Sequence, residues 1–301
     1  MPFVTKKFFL SAPKKAFLFV METLNCSQKE AQKHLDKQRL LQNNTPVHKS
    51  QTIVGEATLT YFKPQSIAQS PLWITPYFAV YDKPPKMLIH PKGYFLHLSL
   101  IDGIKSDFGK EANPVHRLDY ETSGLVVISK SKQHEAPLKE LFAKQKVHKQ
   151  YIALVKGHIR SPQEINLPIC IPSKSDKYTD LGIRCKVSAQ GKPSITQITP
   201  IHYDKARNAT LLQVTPLTGR THQIRVHLSH IGHQIIGDSL YGVEDRVARG
   251  YLASKSNNND TSPILMLHAQ SLKFCYKNIH YHIKSHQNLN AKFKTRFIES
   301  F

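Results

Sequence analysis

The residues best suited to chemistry lie in three separated segments. The first, Pro114-Val115-His116-Arg117-Leu118-Asp119-Tyr120-Glu121-Thr122-Ser123-Gly124-Leu125, is a polar, turn-prone loop running into an apolar strand. Loops on a rigid scaffold commonly present functional groups. Asp119 is a potential nucleophile or base, and His116 and Arg117 are suited to gripping an anion; an ordinary salt-bridged loop would have the same composition. The second segment is Thr218-Gly219-Arg220-Thr221-His222-Gln223-Ile224-Arg225-Val226-His227-Leu228. Gly219 ends a strand and Thr221 can open a helix over 221–231, whose free N–H groups and partial positive charge would lie beside Arg220 and Arg225. That combination suits a phosphate. Helical spacing puts Thr221 and Arg225 on one face, four residues apart. The third segment, residues 149–157, reads as a strand whose Tyr151 either points into a cleft or packs with its hydroxyl satisfied.

His227, His230 and His233 invite a metal reading. Their offsets swing round a helix instead of sharing a face, no carboxylate lies between them, and Gly232 breaks the pattern. Cys26, Cys170, Cys185 and Cys275 are scattered, with no Cys-x-x-Cys pair, so neither a thiolate zinc site nor a disulfide framework is expected. No metal is expected.

The elements that must position these groups belong to a chain of 301 residues with 42 Lys and Arg against 21 Asp and Glu, a formal charge of +21. Such a length suggests about two domains, and such a charge implies a polyanionic partner. The apolar stretch at 16–21 is far short of the ~20 residues that cross a bilayer. It reads as an amphipathic first helix, so a cytoplasmic protein with no membrane partner is expected. Residues 1–63 form a small basic module: a helix at 16–25, a second from a Ser27/Glu30 capping box to about Leu41, and short strands at 52–54 and 57–62 around Gly55. Lys29, Lys33, Lys37 and Arg39 make the second helix basic, and residues 1–75 hold ten Lys and Arg against four Asp and Glu. An RNA-contacting face is expected there, its binding weakening steeply with salt.

Residues 64–76 are proline-punctuated and read as a linker. From 77 to 301 strands predominate, at 78–81, 124–129, 151–155, 183–187, 194–201, 210–216, 265–274 and 279–283. Helices are expected at 132–145 and 291–298, and 244–262, with its Asn257-Asn258-Asn259 run, reads as a flexible surface insertion. Many strands with few long helices argue for an α+β domain on a mainly antiparallel mixed sheet.

Taken together, the three segments resemble the RluA-type pseudouridine synthases. His116-Arg117-Leu118-Asp119 with Thr122-Ser123-Gly124-Leu125 is similar to that family's signature around its catalytic aspartate. The family's other elements follow in order: Asp82-Lys83-Pro84 with His90-Pro91, residues 149–157, Gly219 to Leu228, Gly232-His233 leading to Gly237-Asp238, Leu240-Tyr241-Gly242, and Leu267-His268-Ala269. The likeness covers about residues 76–285; Gln234 replaces the proline usual after Gly-His. The N-terminal module resembles, more weakly, the αL RNA-binding module that often precedes such domains.

The resemblance implies that a uridine in folded RNA is detached at its glycosidic nitrogen, rotated and rejoined through carbon 5. Asp119 would act on the ribose, either attacking the anomeric carbon or removing the 2′ proton. Arg225 would keep it ionised and fixed, and Tyr151 would lie against the uracil and shuttle a proton at carbon 5. Arg117 would fill the space left by the flipped nucleotide, while His116, Arg220 and His222 would contact phosphate or sugar. No cofactor is implied, since the reaction is redox-neutral. Large-subunit ribosomal RNA is the favoured substrate and a monomer the favoured state. The alternatives are the same chemistry on tRNA, a non-catalytic RNA-binding or ribosome-assembly protein, and, more weakly, an RNA hydrolase.

Overall fold

The computed structural model describes residues 3–91, 99–172, 181, 183–256 and 260–293. In chain order the first elements are β1 (Phe3–Lys15), α1 (Ala16–Leu24), α2 (Gln28–Asp36), β2 (Leu40–Gln42), β3 (Thr45–Pro46) and β4 (Thr52–Phe62). They build a four-stranded sheet in the order β1-β4-β2-β3, with Val20, Ala31, Leu35, Leu40, Ile53 and Leu59 in its apolar core.

The capping box is present as the sequence signals it: the Ser27 hydroxyl accepts from the Glu30 N–H, and the Glu30 carboxylate accepts from the Ser27 N–H. Three expectations are corrected here. Helix α2 stops at Asp36, because Gln38 adopts φ +54 and Leu40 and Leu41 pair instead with Leu59 and Thr58 of β4. Residues 52–62 are one strand, not two. Gly55, at φ +78, borders an irregularity between Leu10 and Lys14 where the register with β1 shifts, a conformation glycine adopts without strain. The third correction is β1 itself, which the sequence reading missed. Its Thr5-Lys6-Lys7 stretch is exposed, and only Leu10 is buried while Phe3, Val4 and Phe8 are half-buried, so its burial signal is weak.

The remaining elements are β5 (Trp73–Ile74), β6 (Phe78–Lys83), α3 (Leu100–Phe108), β7 (Asn113–Pro114), β8 (Ser123–Ser129), α4 (Lys132–Ala143), β9 (His148–Lys156), β10 (Gln163–Asn166), β11 (Ile169–Cys170), β12 (Lys186–Val187), β13 (Ile195–Asp204), β14 (Ala209–Pro216), α5 (Gln223–His230), α6 (Asp245–Ser256), β15 (Leu267–Tyr276), β16 (Ile279–Lys284) and α7 (Leu289–Phe293). A large sheet runs β10-β13-β14-β9-β15-β8-β6-β5, with β16 on β15 and β7 on β8; among these pairings only β15 with β8 is parallel. Strands β6 and β8 are buried on both faces, which explains their unbroken apolar runs. Phe78, Val80, Leu125 and Val127 pack toward Leu138 of α4, while Ala79, Tyr81, Val126 and Ile128 pack toward Leu100 and Ile104 of α3. That alternation is the two-residue period of a strand.

Helix α3 has no counterpart in the sequence reading, and Trp73 and Ile74, inside the stretch 64–76, add an edge strand to the large sheet. Of residues 183–187 only Lys186 and Val187 pair, with β11. Residues 244–262 are not a loose surface insertion: they contain α6, whose Ala248 and Tyr251 are buried. Residues 257–259 lie outside the described residues, as does the part of the expected last helix beyond Phe293.

Candidate active site

The loop carrying Asp119 is held along its whole length. Its start is stitched to β8, with the Val115 N–H donating to the Val127 carbonyl (3.1 Å) and the Val127 N–H donating to His116 Nε2 (3.0 Å). The His116 ring stacks on Phe142 at 4.2 Å between centroids. Burial pulls its pKa down to about 3, with the positive charge of Lys149 adding to the effect. The imidazole is therefore neutral and accepts from the backbone, so His116 props the loop while also lining the cleft. Past Asp119, the fully buried Lys83 donates to the carbonyls of Pro84 (2.9 Å), Met87 (3.0 Å) and Tyr120 (3.2 Å). Behind the loop runs a buried relay: Ser123 to His268 Nδ1 (2.8 Å), His268 Nε2 to Ser285 (2.8 Å), and Ser285 to Asp82 (2.5 Å). Gly124 closes the loop at φ +111, where a Cβ would overlap the Ala269 backbone of the parallel neighbour β15. The Asp82-Lys83 and His268-Ala269 motifs thus serve the loop from behind.

The pKa of His116 has a measurable consequence. Between its unfolded value near 6.5 and about 3, the unfolded chain binds a proton that the folded chain refuses, so stability falls as pH drops through that window. His116→Gln can still accept from Val127 but cannot titrate. Chemical denaturation at pH 7 and pH 5 should show the parent losing up to about 2 kcal/mol more than the variant. Equal losses would refute a neutral, buried His116.

The arginine segment meets the same cleft. Helix α5 begins at Gln223, not Thr221, because His222 takes the left-handed conformation (φ +55) as its N-cap. Thr221 therefore precedes the helix and does not share its face with Arg225. The Gln223 amide ties the turn to β13: Oε1 accepts from Thr218 Oγ1 (2.7 Å) and the Arg220 N–H (3.0 Å), and Nε2 donates to the Ile195 carbonyl (2.9 Å) and Thr196 (3.0 Å).

Arg225 is buried and faces three carboxylates. It donates through Nε and Nη2 to both oxygens of Asp238 (2.8 Å each) and through Nη1 to Glu121 (3.2 Å), and the same Nη1 lies 3.8 Å from Asp119. Burial opposes its charge, but Asp238, Glu121 and Asp119 together outweigh it and raise its pKa. For Glu121, burial pushes the carboxyl up, while Arg225 and Lys255 together bring it down to about 2. His222 completes the group. The Tyr241 hydroxyl accepts from the Cys185 N–H (2.9 Å) and is hydrogen-bonded to His222 Nδ1 (2.7 Å), which leaves His222 Nε2 facing Asp119 at 3.8 Å. Burial lowers the His222 pKa, which favours the neutral imidazole.

Asp119, Tyr151, Arg225, His222, Lys149 and Thr221 line one cleft of about 510 Å³, within the range of small-ligand pockets (about 300–1,000 Å³). Tyr151 stands on β9 between β14 and β15; burial pushes its phenol up and the Asp119 charge adds to that. Arg117 and Arg220 are exposed at the cleft edge, Arg220 donating to the Pro193 carbonyl (3.1 Å). Lys29, Lys33 and Lys37 are exposed on and just after α2, not in the cleft, and Arg39 lies over the Phe3 ring at 4.7 Å. His227 is committed to Thr196 and the Leu167 carbonyl (2.9 Å each).

The sequence reading gave no role to Glu121, Asp238 or Lys255. The first two were in view, two residues after Asp119 and inside the Gly237-Asp238 motif. Lys255 had no signal at all.

A carboxylate, a phenol and a buried guanidinium converge in one cleft edged by Arg117 and Arg220, an arrangement chemically suited to a nucleic-acid unit. Residues 77–230 match the family model described as RNA pseudouridylate synthase, and the chain belongs to that family. A Helicobacter pylori protein called "Uncharacterized RNA pseudouridine synthase" is 51% identical over 285 residues, covering 95% of this chain and 94% of that one. The "Ribosomal large subunit pseudouridine synthase C" of Buchnera aphidicola is 33% identical over 222 residues, covering 73% and 66%. Among solved structures, "Human RNA Pseudouridylate Synthase Domain Containing 1" superimposes with a TM-score of 0.57 at 26% identity, covering 75% of this chain and 86% of its own. Within the family the chain is of the RluA type, an RNA pseudouridine synthase and hence an isomerase.

Proposed function

We propose that this enzyme isomerises uridines in large-subunit ribosomal RNA, with Asp119 acting on the ribose of a nucleotide flipped into the cleft. One observation carries the assignment of Asp119. Of the three carboxylates around Arg225, Asp238 and Glu121 are spent in close ion pairs, whereas Asp119 stands off at 3.8 Å with its side chain 20% exposed to the cleft. It is the carboxylate with an open face.

In the reaction the N1–C1′ bond breaks, the uracil turns, the C5–C1′ bond forms, and the C5 proton leaves while N1 gains one. Asp119 serves by attack at C1′ or by removing the 2′ proton; Arg225 and His222, each 3.8 Å away, face the carboxylate either way. Tyr151, whose phenol burial keeps protonated, stacks on the uracil and relays the C5 proton only by passing its own onward. Arg117, Arg220 and Lys149 supply positive charge at the phosphates.

We assign residues 1–63 as an αL-type RNA-binding module, 64–76 as its connection and 77–301 as the catalytic unit, the whole acting as a monomer in the cytoplasm. Lys29, Lys33 and Lys37, spaced four apart and exposed, would form the RNA-facing line. The ribosomal target is supported by the names of relatives such as the Buchnera protein.

Pseudouridine mapping of RNA from cells with and without the gene tests this. One or a few sites should disappear from large-subunit rRNA while tRNA is unchanged. Loss confined to tRNA would overturn the ribosomal target.

A further inference from the structure

We propose that helix α6 belongs to the catalytic apparatus, with Lys255 as a positioning residue that acts through Glu121 to leave Arg225 available to Asp119. This rests on the reading of Asp119 given above and extends it to a segment outside the motifs that identify the family.

The geometry is specific. Tyr251 and Lys255, one turn apart on α6, both address the same carboxylate oxygen: the Tyr251 hydroxyl donates to Glu121 Oε1, and Lys255 Nζ donates to it at 2.9 Å. Lys255 also lies 3.2 Å from the Tyr251 hydroxyl and 4.1 Å from the centroid of the Tyr120 ring. Helix α6 therefore holds the two residues that directly follow Asp119. Beyond α6 the same segment is anchored again, Lys86 donating to Asp260 (3.4 Å) and to the Ser262 carbonyl (2.5 Å).

The electrostatics give this grip a purpose. One guanidinium faces Asp238, Glu121 and Asp119, and a single positive charge cannot satisfy three carboxylates equally in a buried site. Lys255 supplies the second cation and engages Glu121 Oε1, so Glu121 asks of Arg225 only the contact from Oε2 to Nη1. Without Lys255, Glu121 would draw Nη1 toward itself and away from Asp119. The effect should fall on turnover, since neither Lys255 nor Glu121 is among the residues lining the cleft.

The test is tritium release from carbon-5-tritiated transcripts of large-subunit rRNA and tRNA, using whichever the unaltered chain turns over. Lys255→Met should lower kcat by about thirtyfold with KM within about twofold, and Lys255→Arg should restore most of the loss. Glu121→Gln removes the charge through which Lys255 acts, so adding Lys255→Met to it should change kcat by less than about twofold. Multiplicative losses in the double variant, a raised KM at unchanged kcat, or no change at all would each overturn the proposal. Failure of the underlying reading looks different: Asp119→Asn would then stay active whatever Lys255 does.

Discussion

Asp119→Asn is expected to lower isomerisation by at least about a thousandfold, the scale on which enzymes lose rate when the nucleophile or base is removed. The amide matches the carboxylate in shape but has neither the charge to act on the ribose nor a lone pair basic enough to take its 2′ proton. RNA binding should stay within a few-fold, because affinity for RNA resides chiefly in phosphate contacts by Lys and Arg. Folding should not suffer. Asp119 is the most distant of the three carboxylates from Arg225, so neutralising it removes an anion from a crowded cluster and breaks no close ion pair. Tritium release, filter binding and thermal melting on one preparation check all three statements. Activity within tenfold of the parent would remove Asp119 from its role.

What could be read from the sequence was local, and what could not was assembled from distant segments. The capping box of α2 needs only Ser27 and Glu30 three residues apart. The unbroken apolar run of β8 reports a strand buried on both faces. Strand β1 failed because its exposed Thr5-Lys6-Lys7 stretch has the polarity of a tail, and only pairing with β4, more than forty residues on, makes it a strand.

The site divides the same way. That Asp119, Tyr151 and Arg225 share a cleft was expected from the three motifs, and they do line it together. The pairing around Arg225 was not legible, since its partners Glu121 and Asp238 and the Glu121 partner Lys255 come from three separate stretches. His116 shows the limit from the other side. In sequence it is a histidine beside an arginine, suited to an anion; in the fold it is neutral under Phe142 and accepts from a backbone N–H. Burial, helped by the charge of Lys149, changes its chemistry, and no neighbouring residue announces burial.

The same cluster sets the second large effect, on stability. Arg225→Met should destabilise the catalytic part of the chain by about 3–5 kcal/mol, the usual cost of deleting one partner from a buried ion pair. Methionine fills much of the volume, so little of the loss is cavity. The cause is charge: Asp238 loses both of its 2.8 Å contacts and Glu121 its 3.2 Å contact, leaving buried carboxylates that must take up protons or water. At about 2–4 °C per kcal/mol for a domain of this size, melting should fall by on the order of 10 °C. The sign of the pH response identifies the mechanism. Glu121, held at about 2 in the folded parent, should lose the part of that depression that Arg225 supplies, Lys255 remaining. Its contribution to stability, present above the normal carboxylate pKa and lost as pH falls through the folded value, would then shrink. The gap between parent and variant should therefore narrow as pH falls from 6 to 4. Arg225→Lys would retain the charge but not the two-pronged contact with Asp238, placing it between the two. A gap that stays constant with pH would mean that packing, not charge, accounts for Arg225.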